Sequence, residues 1–193
     1  PILHLYDVCG EHIHLSSLPH QKIPMILFDL DGTIANVDAR REAANQAADD
    51  YHDDNIRMDD SKLFPLTRKA WWTAWQNPDN ILRLDYPNEL VVSLLRDWRE
   101  RGKHIVIVSA RNDKNRAVTE QWLAKYGIHY DALYMRPDGD YRPDNVFKQE
   151  LLDNIRKNTI IERVYDDRNQ VVDMWRANGI DCIQVVPREK GEF

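Results

Sequence analysis

Two cysteines in 193 residues, Cys9 and Cys182, are too few for a zinc cluster or a disulfide framework. Cys182 lies in the apolar run 180–186, where a free buried thiol is expected. No apolar run approaches the roughly 20 residues that a membrane-spanning helix needs, and the first residues show no basic stretch followed by a hydrophobic one. The expectation is a cytoplasmic chain with no membrane contact. Positive charge is in deficit: 26 Lys and Arg against 32 Asp and Glu leave −6. That balance argues against a long electrostatic track for nucleic acid, though not against capture of one phosphate end. No G-x-x-x-x-G-K-[ST] loop is present, which excludes a P-loop kinase unit in this stretch. Internal repeats and low-complexity segments are absent too.

What is present is a chain of one ordinary domain's length, or one domain with an insertion, 42% hydrophobic and so able to fill a core. The residues at 1–24 carry His4, His12, His14 and His20 without metal-ligand spacing and are expected to form an N-terminal extension packed on that core. The informative stretch follows: Met25-Ile26-Leu27-Phe28-Asp29-Leu30-Asp31-Gly32-Thr33. An apolar run too short for a typical helix and stopped by glycine reads as a buried strand of a parallel sheet. Its carboxylates then fall at the C-terminal end, where open α/β sheets bind ligands. Asp29 and Asp31 are two apart and leave a strand on one face, so the like charges call for a cation or a shared proton. A plain strand followed by an Asp-Gly turn is the simpler reading.

Residues 38–54, alanine- and charge-rich without Gly or Pro, predict a helix. A second is expected at 65–76, with Pro65 in its first turn and Asn77-Pro78 at its end. Together they predict a helical insertion over 38–86, between core segments 25–37 and 87–193. Trp71, Trp72 and Trp75 lie on the second helix, either to pack the insertion on the core, the favoured reading, or to stack nucleobases. Further on, 88–101 predicts an amphipathic helix with Leu90, Val91, Leu94, Leu95 and Trp98 on one face. Strands at 104–109, 131–135, 163–166 and 180–186 alternate with helices at 112–126, 144–156 and 168–178. Such alternation implies right-handed βαβ units and a doubly wound parallel α/β sheet covered on both faces.

Three strands end in polar groups. Besides Asp29 and Asp31, the run Ile105-Val106-Ile107-Val108 leads into Ser109-Ala110-Arg111, and Val164-Tyr165 into Asp166-Asp167-Arg168. In a parallel sheet these ends share one edge, where Lys148 from the 144–156 helix joins them. Four carboxylates in one crevice require a hard cation, and oxygen ligands point to magnesium rather than zinc. Lys148 alone would pass for a solvated helix lysine. Asp144, behind Pro143, fits either an N-cap or support for the site. Asp173 and Arg176, three apart, read as a surface pair, and Met174 and Trp175 as core.

The ordered set, D-x-D-G-T, a strand-terminal serine, a lysine and a closing acidic pair, resembles the haloacid dehalogenase superfamily of phosphatases across roughly residues 25–186. A narrower likeness is to the 3′-phosphatase domains of the bacteriophage polynucleotide kinase family. It rests on Asp166-Asp167-Arg168-Asn169-Gln170-Val171-Val172-Asp173-Met174-Trp175-Arg176, then Cys182 and Gln184-Val185, on Ser109-Ala110-Arg111, and on Asp144 four residues before Lys148. The resemblance implies a HAD-like, Rossmannoid core in which Asp29 is the nucleophile that forms an aspartyl-phosphate. Asp31 would be the acid and then the base, work a second carboxyl can do if its environment raises its proton affinity. It places Mg²⁺ on Asp29, the Asp31 carbonyl and Asp166 or Asp167. Thr33, Arg40, Ser109, Ala110, Arg111, Asp144 and Lys148 become the phosphate- and substrate-binding set, and a phosphorylated nucleotide or nucleic-acid end the substrate. The long 38–86 segment departs from that pattern. An insertion so placed usually caps the crevice in the superfamily, which favours the alternative of a 5′-nucleotidase or other small-ester phosphatase. A non-catalytic phosphate-binding module is the alternative of another class. The leaving group and the oligomeric state are left open by the sequence.

Overall fold

The computed structural model describes residues 23–191. Cys9 and the four N-terminal histidines lie outside the described residues; Ile23 and Pro24, expected in the extension, open the first strand instead. Among the described residues, five parallel strands form the central sheet in the order β5-β4-β1-β6-β7. They are β1 (Ile23–Asp29), β4 (His104–Asn112), β5 (Ala132–Arg136), β6 (Thr159–Asp166) and β7 (Cys182–Gln184). Their side chains alternate between two cores, as strand geometry requires. Ile26 and Phe28 of β1 face α4 (Glu89–Glu100) and α5 (Arg116–Lys125), where Val91, Val92, Leu95, Trp122 and Leu123 are buried. Leu27 faces the other way, onto Leu151 and Leu152 of α6 (Asp144–Ile155) and Val171, Val172 and Trp175 of α7 (Asn169–Ala177). Helices thus cover both faces, the doubly wound arrangement that the alternation implied. Cys182 is buried and has no disulfide partner among the described residues, its thiol pushed up to about 12 by burial.

Between β1 and β4 the chain makes a helical excursion. It leaves through β2 (Ala35–Asn36) and returns through β3 (Tyr86–Pro87), and the two pair antiparallel. The helices between are α1 (Asp38–Asp54), α2 (Asp60–Trp75) and α3 (Pro78–Leu84). The first packs on the second, where Trp71 Nε1 donates to Asn45 at 2.8 Å.

Several local expectations need correction. Pro65 lies inside α2, because Asp59 caps the helix six residues earlier by accepting from the Ser61 amide at 3.0 Å. Asn77-Pro78 ends that helix but also starts α3, with Asn77 as its cap and Pro78 in its first turn. Leu90 is 73% exposed; the buried stripe of α4 runs through Val91, Val92 and Leu95. Asp173 pairs with Arg188 rather than Arg176, whose guanidinium donates to the Cys182 carbonyl. The strand expected at 163–166 begins at Thr159, and the one expected at 180–186 shrinks to three residues.

Candidate active site

Strand register brings the polar ends together. Asp29 lies beside Val108 of β4, one residue before Ser109, and Phe28 beside Tyr165 of β6, one residue before Asp166. Phe28 and Tyr165 stack with ring centroids 4.7 Å apart, locking this register under the site. Above them, carboxylate oxygens of Asp29, Asp166 and Asp167 all lie within 4.8 Å of one another, and all three residues are buried. Lys148, also buried, projects from α6 to donate to Asp29 Oδ1 at 2.6 Å and Asp166 Oδ2 at 2.7 Å.

Three buried acids so close cannot ionise freely. Burial pushes the Asp29 carboxyl well up, with Lys148 opposing and Asp166 and Asp167 adding to the rise. Asp167 is pushed up to about 7 by burial and then by Asp166. Burial works against the Lys148 charge, but Asp166 and Asp29 outweigh it and hold the ammonium protonated. Asp167 Oδ2 is buried with no hydrogen-bond partner among the described residues. Such an atom in an all-oxygen cluster fits a hard cation, and three carboxylates less one ammonium leave a formal −2 that one divalent ion would balance. The cradle needs glycine: Gly32 sits at φ +89°, and a Cβ there would lie 2.1 Å from Asp167 Oδ2. Thr33, fully buried, points its hydroxyl at Asp167 Oδ1 at 3.4 Å. From behind, Gln184 Nε2 donates to the Asp167 carbonyl at 3.0 Å.

The surroundings of Asp31 do not raise its proton affinity, the condition for acid work, in this arrangement. Its carboxylate accepts from Arg40 and Arg111. Burial acts upward on its carboxyl, but Arg111 and then Arg40 overcome it and hold the group below the usual carboxylate range. Both arginines are themselves buried and share a second acid that sequence reasoning missed. Asp85 accepts from Arg40 Nε at 2.7 Å and from Arg111 at 3.0 Å. Burial pushes Asp85 up to about 6 against the pull of the two guanidiniums. The Trp75 carbonyl and the Thr119 hydroxyl complete the holding of Arg40 and Arg111, each at 3.1 Å. Arg40 also lies over the Trp75 ring, 4.0 Å from its centroid. The helical excursion therefore supplies one of the two guanidiniums at Asp31. Asn115 of the core, donating to the Gln76 side chain at 2.8 Å, ties the end of α2 down nearby.

Ser109 is buried, and its Oγ accepts from the Arg111 amide at 3.1 Å. The Ala110 carbonyl accepts from Arg136 Nε at 3.0 Å. Asp144 is no N-cap: it lies inside α6, Pro143 holds the cap position, and its carboxylate takes Arg136 and Arg168 instead. Arg136 and Arg168 were likewise missed. Their signal is position, one at the end of β5 and one directly after the acidic pair.

Residues 78–193 match the model of the polynucleotide kinase PNKP phosphatase domain, a span that holds Ser109, Arg111, Lys148, Asp166 and Asp167. A protein of Autographa californica nuclear polyhedrosis virus described as a "Putative bifunctional polynucleotide kinase/RNA ligase" is 36% identical over 91 residues, 46% of this chain and 13% of its own length. A chain of the solved Pnkp1/Rnl/Hen1 complex superposes with a TM-score of 0.61 at 31% identity, over 85% of this chain and 46% of that one. A haloacid dehalogenase-like hydrolase from Streptococcus pneumoniae, 12% identical, shares the fold over 84% of each chain with a TM-score of 0.61. The chain thus spans less than half the length of the first two relatives.

Proposed function

Because the chain belongs to the family of polynucleotide kinase phosphatase domains, we propose that it is a phosphomonoesterase that removes the 3′-phosphate from a nucleic-acid or nucleotide end through an aspartyl-phosphate on Asp29. The observation that carries this reading is the convergence of Asp29, Lys148, Asp166 and Asp167 at one sheet edge, beside two buried arginines. Asp29, Asp166 and Asp167 would hold a divalent cation, for which Mg²⁺ fits the oxygen donors, with the Asp31 carbonyl as the further ligand that the family resemblance implies. When bound, the cation neutralises charge on the transferring group.

Lys148 orients the Asp29 carboxylate, whose oxygen attacks phosphorus and displaces the ester oxygen. Arg40 and Arg111 are the groups a phosphate draws to itself, and they are the same groups that hold Asp31 ionised. As they turn to phosphate oxygens, Asp31 is left able to carry the proton that the leaving oxygen takes, and later to accept one from the water that attacks phosphorus, breaks its bond to Asp29 and releases inorganic phosphate. Ser109 supplies a hydroxyl to the same phosphate. Residues 38–86 act as a cap segment in this scheme, with Arg40 as its contribution to the site. That contribution favours one second reading, a mononucleotidase whose cap selects small esters.

A substrate panel assayed for phosphate release, with Mg²⁺ and with chelator, tests the proposal. A 3′-phosphorylated oligonucleotide should be turned over in Mg²⁺ and not in chelator. Release from 5′-mononucleotides alone would decide for the second reading, and no release from any ester would remove both.

A further inference from the structure

The outer face of α2 combines features that no other exposed helix face among the described residues shows. Phe64, Arg68 and Trp72 follow at four-residue intervals, so they line one side of the helix over two turns, about 12 Å. Phe64 is 74% and Trp72 46% exposed, large aromatic surfaces left in water. Lys62, Arg68 and Lys69 are exposed beside them, and none of the three has an ion-pair partner among the described residues. After Asp60 the helix carries no acid at all. This happens in a chain of net charge −6, and next to α1, whose exposed face carries Glu42, Asp49, Asp50, Asp53 and Asp54. Basic charge has been gathered on one helix and acid on its neighbour.

The face also connects to the site. Trp72 meets Trp71 edge-on with centroids 4.9 Å apart, and Trp71 stacks on Trp75 at 5.2 Å. Trp75 in turn lies under Arg40, which donates to Asp31. An unbroken series of flat groups runs from the candidate catalytic acid to an exposed indole.

Resting on the phosphatase reading above, we propose that the Phe64–Arg68–Trp72 face of α2 is a short track for single-stranded nucleic acid, holding the nucleotides that precede a phosphorylated 3′ end. Each part matches the ligand. Aromatic faces stack unpaired bases of any sequence, and unpaired Lys and Arg meet phosphates without first giving up a partner. A duplex offers no exposed base faces to Phe64 and Trp72, which favours the single strand. Three cations suit a track of few phosphates, consistent with an overall charge that forbids a long one.

The test measures binding and turnover separately. Fluorescently labelled 3′-phosphorylated oligonucleotides of two and of eight nucleotides are titrated into an Asp29→Asn protein, with and without Phe64→Ala/Trp72→Ala or Lys62→Ala/Arg68→Ala/Lys69→Ala. The octamer should bind more tightly than the dimer, with log Kd against log salt rising at a slope of about 2 for three phosphates. Loss of the aromatic pair should weaken octamer binding by at least about tenfold. Loss of the three cations should reduce the octamer's salt slope to that of the dimer, and neither change should alter dimer binding. In the otherwise native protein, the same changes should raise KM for the octamer and leave hydrolysis of para-nitrophenyl phosphate unchanged. RNA and DNA octamers are compared to identify the sugar. Equal affinity for both lengths, or octamer binding indifferent to the substitutions, overturns the track. So does a fall in oligomeric mass on Phe64→Ala/Trp72→Ala with octamer binding retained, which would assign the face to a contact between copies. Phosphate release from esters with no length dependence would sink this inference while sparing the phosphatase reading. Failure of all turnover with length-dependent binding intact would do the reverse.

Discussion

Lys148 Nζ lies 2.6 Å from Asp29 Oδ1, although 119 positions separate the two residues. The ammonium, also 2.7 Å from Asp166, is the internal cation that lets three carboxylates share a buried space. Lys148→Met keeps the volume and removes the charge. Breaking a buried pair costs about 3 kcal/mol or more, on the order of 10 °C in melting temperature for a chain of this length. Thermal melts in chelator should show that loss, and Mg²⁺ should restore more stability to the variant than it adds to the native protein.

Asp29→Asn addresses chemistry with little change of shape. The amide cannot serve as a phosphoryl acceptor, so turnover should fall by at least about 10⁴-fold. Lys148 keeps Asp166 as a partner, and one repelling charge leaves the cluster, so the thermal midpoint should stay close to native. Retained turnover in this variant would remove the nucleophile assignment.

If Asp167 holds the cation as proposed, binding should depend on pH. Burial and Asp166 raise its carboxyl to about 7, against an ordinary value of 3.8. Between these values the folded protein binds more protons than the unfolded chain, so in chelator this group's contribution is full below about 4 and lost as pH rises through about 7. A cation must displace the same proton, so its affinity runs the other way. The gain in melting temperature from Mg²⁺ should grow from pH 5 to pH 7 and then level off. Asp167→Asn should weaken both trends, with Asp29, whose carboxyl burial also raises, carrying what remains.

Gly32→Ala tests how closely the cradle is built. The φ of +89° disfavours any side chain, and the Cβ would sit 2.1 Å from Asp167 Oδ2. Asp167 has to move, so the variant should lose several kcal/mol of stability and at least tenfold in Mg²⁺ affinity by calorimetry, roughly the scale of strain plus a displaced ligand. Mg²⁺ affinity equal to native would show that Asp167 does not hold the ion.

How much of this was legible in the sequence follows from the range of each signal. Apolar strands such as Ile105 to Val108 announce themselves locally, and a parallel sheet fixes where their ends meet, so Asp29, Ser109, Asp166 and Asp167 could be placed at one edge before any coordinates. Lys148 needed the ordered motif, since an isolated lysine near a helix start has no local mark. Asp85 had none at all: it sits between α3 and β3, and its role comes from two guanidiniums 45 and 26 positions away. The protonation of Asp31 was beyond the sequence for the same reason, because both arginines that set it arrive through tertiary packing. Leu90 failed differently. The apolar stripe of α4 is wide enough to admit two settings, and the helix rotates to bury Val92 instead.

Asp85 can be tested apart from the cluster that would hold the cation. Asp85→Asn preserves the shape of the side chain and one acceptor oxygen, but leaves Arg40 and Arg111 with Asp31 as their remaining carboxylate. One uncompensated buried positive charge should lower stability by about 3 kcal/mol at pH 7.5. Because the two guanidiniums lose the group that fixes their spacing, KM should rise and kcat fall for every phosphate ester alike, while Mg²⁺ affinity stays native. Thermal melts, steady-state kinetics and calorimetry on one preparation separate these effects. A loss of Mg²⁺ affinity equal to the loss of turnover would mean that Asp85 acts on the acidic triad rather than through the arginines.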